Sequence, residues 1–192
     1  MDIFDTISYA KGSVICRMLH SYLGETAFTE CLRRYLTVFG GANAKTDDLL
    51  AIMDQEFGAS ILRARFTAQS EHVSVSAFIK PWIQQKCFPM VMVQEDEEET
   101  GKFELFQSCV YMSEAENTRG MLWPIHVTYV TSKGKKGEFV FTGREFELEI
   151  EIEEGEAVWF NHEMKGFYLP VPSGPYFQDT LLPQLSSFSD AD

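Results

Sequence analysis

The chain has no run of about 18 or more uninterrupted apolar residues, the shortest stretch that carries a helix across a bilayer. No basic-then-apolar leader opens it either. Neither a membrane span nor a secretory signal is therefore expected, and the expected location is the cytoplasm. Cysteine is scarce: Cys16, Cys31, Cys87 and Cys109 form no Cys-x-x-Cys pair, so zinc held by cysteine is not expected. They lie on apolar segments and read as buried thiols in a reducing compartment. Basic charge is also short, with 16 Lys and Arg against 29 Asp and Glu and a net charge of -13. That excludes a phosphate-binding face for nucleic acid and reads as solubility. The acidic run Glu95 to Glu99 lacks the alternating ligands and central glycine of a calcium loop, so it reads as a solvated turn. The lysines of Lys133-Gly134-Lys135-Lys136-Gly137 make a short basic hairpin loop, too isolated to bind nucleic acid.

What is present is a globular composition, 45% hydrophobic over 192 residues, enough for one ordinary domain or two small ones. The first half has helical spacing. Asp5 and Thr6 are suitable N-caps for a helix whose Val14, Ile15, Met18, Leu19, Tyr22 and Leu23 form one apolar face, ended by Gly24. Thr26 suits the cap of a second helix, with Phe28, Leu32, Tyr35, Leu36 and Phe39 on its stripe. Thr46 suits the cap of a third, with Leu49, Leu50, Met53 and Phe57 aligned and Asp47 and Asp48 at its positive end. Residues 59–73 are irregular and locally basic, a short helix or an ordered loop. Ser74 or Ser76 then caps a helix carrying Phe78, Trp82 and Ile83, with Pro81 tolerated or kinking it.

From Phe88 the spacing turns to alternation, the best domain boundary in the chain. Strands are expected at Val91 and Val93, then around 103–112, 124–131, 138–141, 145–152, 158–161 and 167–171. The clearest has Phe146, Leu148, Ile150 and Ile152 inward and Glu147, Glu149 and Glu151 facing water. The expected fold class is α+β: a helical segment over residues 1–87, an antiparallel β-sandwich over 88–172, and in 173–192 the start of a helical domain or a polar tail.

Hydrolysis by a single zinc ion needs three protein ligands, an open position for water and a carboxylate base, of which a helical His-Glu-x-x-His supplies most. The chain lacks that motif. His162-Glu163 begins it, but Gly166 stands where the second histidine belongs, and the stretch reads as a turn into a strand. His20, His72 and His126 are scattered singly and read as surface or core histidines. No metal ligand is expected within these residues.

One stretch looks placed for chemistry: Ile7-Ser8-Tyr9-Ala10-Lys11-Gly12, with Tyr9 in the first turn of its helix. On pattern alone such a tyrosine is a half-buried packing residue. With the later Tyr22-Leu23-Gly24, however, the stretch resembles the zinc aminopeptidases of the gluzincin group, especially the puromycin-sensitive and aminopeptidase N-like type. Further landmarks fall in that family's order: Asn43-Ala44-Lys45-Thr46 with Asp48-Leu49, Trp82-x-x-Gln85-Lys86-x-Phe88-Pro89, Gln107-Ser108, Pro124-Ile125, and Asn161 followed by Gly166-Phe167-Tyr168. Three departures stand out. Cys87 replaces a usual glycine, Leu50 a frequent tryptophan, and Leu169-Pro170 the usual arginine-valine.

The resemblance implies the end of a thermolysin-like catalytic domain followed by a sandwich spacer, excerpted from a longer enzyme that releases N-terminal residues from peptides. It implies that Tyr9 lies across the active site from zinc and donates to the developing oxyanion, with Lys11 and Gly12 in support and Gly12 permitting close helix approach. Zinc and the remaining domains would belong to the parent enzyme, leaving this chain inactive alone. The rival reading is a short, non-catalytic protein that binds a partner through its acidic sheet face.

Overall fold

The computed structural model describes residues 6–56, 66, 69–110 and 120–188. The expected Asp5 cap, most of the basic 59–73 stretch and the last residues of the chain lie outside that set. Within it the helices are α1 (Thr6–Leu23), α2 (Glu25–Phe39), α3 (Thr46–Glu56) and α4 (Val75–Gln84). Gly24 closes α1 and opens α2 at φ +83, a backbone region that costs glycine little. Its N–H donates to the His20 carbonyl at 2.8 Å and its carbonyl accepts from Phe28 at 2.9 Å. Thr26 therefore sits inside α2, and no side chain caps that helix. At α3 the capping position belongs to Lys45, whose N–H donates back to the Asp48 carboxylate at 2.7 Å. Thr46 is the first residue of α3. Ser74 does cap α4, its hydroxyl accepting from the Ala77 N–H at 3.1 Å.

The strands are β1 (Pro89–Glu95), β2 (Lys102–Cys109), β3 (Ile125–Thr131), β4 (Lys136–Phe141), β5 (Glu145–Glu149), β6 (Val158–Phe160) and β7 (Leu169–Pro172). They form two sheets, ordered β5-β2-β1-β7 and β4-β3-β6. All pairs are antiparallel except β1 with β7, which run parallel because β7 returns to that edge after the other sheet is built. The inner faces meet through rings: Phe103 against Phe160 at 5.4 Å, and Phe139 against Phe146 at 5.1 Å.

The register of β5 follows the alternation. Leu148 and Ile150 are buried, Phe146 and Ile152 are partly buried against the core, and Glu147, Glu149 and Glu151 face water. The strand itself stops at Glu149, earlier than its apolar pattern. Beyond β7 the chain forms a π-helix, Tyr176–Leu181, and a 3-10 helix, Leu182–Ser187. Pro172 pairs with Val93 at the end of β7, one residue before the chain leaves the sheet.

Helices and sheets share one core. Strand β3 is buried along its whole length: one face meets the opposite sheet, while His126 on the other lies under the Tyr22 and Phe66 rings at 6.0 and 5.3 Å. Trp82 completes the junction, its indole N–H donating to the Pro124 carbonyl at 3.0 Å. Trp82→Phe removes that donor inside the core, and we expect a loss of about 1–3 kcal/mol. A lower urea midpoint at unchanged m-value measures it; an unaltered midpoint would show that the indole N–H does not join the layers.

Candidate functional site

From Tyr9 to Ser13 the described side chains of α1 are exposed or only partly buried. Tyr9 is 62% exposed, Ala10, Gly12 and Ser13 are exposed, and the helix enters the interior only at Ile15. Among the described residues nothing approaches within 4 Å of where a Cβ on Gly12 would sit. Lys11 crosses to α4, its ammonium donating to the Gln85 carbonyl at 3.0 Å. Beside them an apolar groove of about 450 Å³ is lined by Ala10, Lys11, Val14, Cys87, Phe88 and Phe167. Phe88 and Phe167 stack at 4.9 Å.

The other landmark residues are staples for buried backbone groups. Gln107 accepts from the Trp123 N–H at 3.0 Å and donates to the Trp123 and Gly143 carbonyls at 3.0 and 2.6 Å. Gln85 donates to the Leu122 carbonyl at 2.8 Å. Asn161 accepts from the Gly166 N–H at 2.8 Å and donates to the Gly166 and Tyr168 carbonyls at 3.1 and 3.0 Å. This closure explains the five-residue spacing from Asn161 to Gly166. A Cβ on Gly166 would come within 2.3 Å of the Tyr168 ring. Cys87 lies at φ +59, where a side chain is strained and glycine is not, which gives the departure at this position a physical meaning.

The turn after β6 concentrates the same strain, since Asn161, Glu163 and Met164 have φ of 63, 57 and 51. The Glu163 carboxyl is held below its usual range, chiefly by hydrogen bonding from Lys165 at 2.8 Å. Its backbone carbonyl accepts from the Arg17 guanidinium of α1 at 2.7 Å. Sequence reasoning missed Arg17, and no local pattern marks a bond that spans 146 residues.

His20 pairs with Glu25 at the end of α1, His72 is exposed, His126 is buried 3.0 Å from Glu138, and His162 is buried in the strained turn. Among the described residues no group of three or more His, Cys, Asp or Glu side chains is arranged to hold a metal ion.

The peptidase family M1 domain matches residues 1–82. The chain is 32% identical over 173 residues to aminopeptidase M1-A of Oryza sativa subsp. japonica, covering 87% of this chain and 18% of that protein. It is 28% identical over 191 residues to the tricorn protease-interacting factor F2 of Thermoplasma volcanium, covering 99% and 21%. It is 27% identical over 172 residues to the puromycin-sensitive aminopeptidase of Caenorhabditis elegans, covering 87% and 17%. This chain belongs to the M1 peptidase family. It spans about a fifth of the length of the curated relatives it matches, 17% to 21% in these three. The M1 similarity is not confined to the helices, because the aligned stretches take in both helical and strand segments.

The thiols differ in a way the apolar segments did not suggest. All four are free; Cys31 and Cys109 are buried, Cys87 is half-buried, and Cys16 is exposed on the outer face of α1. Burial first, then the Glu56 and Glu30 charges, push the Cys31 thiol up to about 12. A maleimide should therefore modify Cys16 first in the folded chain and reach Cys31 and Cys109 only in denaturant. Peptide mapping checks the order, and equal rates at Cys16 and Cys31 would contradict the packing.

Proposed function

We propose that this chain is part of a zinc-dependent aminopeptidase that removes N-terminal residues from peptides, and that Tyr9 is its contribution to catalysis. The observation that carries this reading is the Ile7-Ser8-Tyr9 motif inside the M1-matching region, with its tyrosine presented on an exposed turn of α1. A phenol there carries one O–H donor. It can donate a hydrogen bond to the carbonyl oxygen as attack by water makes that oxygen negative. Lys11 holds the turn to α4 through Gln85 and takes no part in the chemistry.

On this reading residues 1–87 are the helical end of the catalytic domain, 88–172 the sandwich, and 173–192 the beginning of a further helical domain or a tail. The zinc ligands and the amine-recognition residues belong to the rest of the enzyme. Peptides are the substrates, and neither nucleic acid nor a membrane is a partner. Among the described residues no helix is long and apolar enough to cross a membrane. Four free thiols suit the reducing cytoplasm. The rival, a partner-binding sandwich using its acidic face, gains no support, since the similarity runs to peptidases across the helical part as well.

Two outcomes test this function. The chain alone should bind no stoichiometric zinc and cleave no aminoacyl reporter; zinc that survives dialysis, with activity lost on chelation, would refute that. In the complete enzyme Tyr9→Phe should lower kcat and kcat/KM together by roughly 100-fold or more, about 2.7 kcal/mol, at little change in KM, zinc content or melting temperature. Near-normal kcat would make Tyr9 a packing residue.

A further inference from the structure

Among the described side chains, the first half of α1 is less buried than the second. Residues 9, 10, 12 and 13 are exposed, and the apolar stripe takes hold only from Ile15. Two long-range hydrogen bonds tie α1 to the rest of the chain, Lys11 to the Gln85 carbonyl in its first half and Arg17 to the Glu163 carbonyl just past Ile15. Both acceptors are main-chain groups, so they offer fixed points where a carboxylate on a flexible side chain would not.

The second acceptor is the more constrained. The Glu163 carbonyl is aimed by a turn in which three non-glycine residues occupy the left-handed region. Such backbone persists only where its surroundings hold it. Asn161 supplies that hold through its three bonds to Gly166 and Tyr168, and Thr128 of β3 adds another by donating to the His162 carbonyl at 3.1 Å. The turn is thus pinned at both ends to the sandwich, and Arg17 joins it to α1.

We propose that Arg17 is a positioning residue for Tyr9: through the Glu163 carbonyl the sandwich sets the tilt of α1 and so the place of the phenol. This rests on reading Tyr9 as the oxyanion donor. Eight residues separate Arg17 from Tyr9, about 12 Å along a helix. A tilt of about 5° pivoting at Arg17 moves the phenol by about 1 Å, a displacement that costs on the order of 100-fold in rate where geometry matters. The sandwich then takes part in catalysis by orientation and is more than a spacer.

The test is a double-mutant cycle in the complete enzyme, with Arg17→Ala, Tyr9→Phe and both together. Arg17→Ala should lower kcat by about 10- to 100-fold at unchanged KM, zinc content and melting temperature. Arg17→Lys, whose ammonium can still reach a carbonyl, should recover part of that loss. In the Tyr9→Phe background Arg17→Ala should cost little more, because there is no phenol left to misplace. Full kcat in Arg17→Ala, or a loss that persists undiminished without the phenol, overturns the proposal. Tyr9→Phe with normal kcat would instead sink the catalytic reading of Tyr9. In that event fluorine NMR of this chain bearing 3-fluorotyrosine decides the orientation claim alone. Arg17→Ala should shift or broaden the Tyr9 resonance and leave those of buried Tyr168 and Tyr176 in place; an unmoved Tyr9 resonance refutes it.

Discussion

The indole of Trp82 sits where helices give way to strands, and the architecture depends on how it is satisfied. It is 1% exposed, it leans on Trp123 at 6.2 Å and Phe167 at 6.1 Å, and its N–H has the Pro124 carbonyl as acceptor. A donor left unpaired at that depth would cost about as much as a hydrogen bond gains. The entry to β3 must therefore pass under the end of α4, and once it does the strand is covered on both faces. That is why β3 is buried at every position while β5 alternates, although both strands belong to the same sandwich.

The same economy explains the landmarks that mark the M1 likeness. Gln85, Gln107 and Asn161 each bind main-chain groups that strand ladders leave over, at the mouths of loops where the backbone turns away from its partner. They are amides because an amide offers both a donor and an acceptor, and a buried loop mouth needs both. Tyr9 is the exception among the landmarks. It is 62% exposed, on a turn near the start of α1.

Where the sequence misled, local chemistry was overruled by neighbours distant along the chain. Thr26 is a good cap by type, but Gly24 at positive φ already turns the chain and opens α2 two residues earlier. Cys16 lies in an apolar run yet falls on the outer face of α1, since its neighbours Ile15, Met18 and Leu19 take the inward positions. The parallel pairing of β7 with β1 could not be read from alternation, which is the same for parallel and antiparallel neighbours.

Periodicity by itself determined the helical first half, the strand-rich remainder, the inward set of β5 and the Ser74 cap, because each depends on residues within one or two turns of one another. The motif order by itself pointed to the M1 peptidases. Tertiary structure alone decided that the helices and both sheets share one core, that Cys87 and the turn from Asn161 to Met164 occupy left-handed backbone, and that Arg17 reaches Glu163. Those facts depend on pairs of residues brought together by the fold, and a hydrogen bond across 146 residues leaves no trace in the spacing of either partner's neighbours.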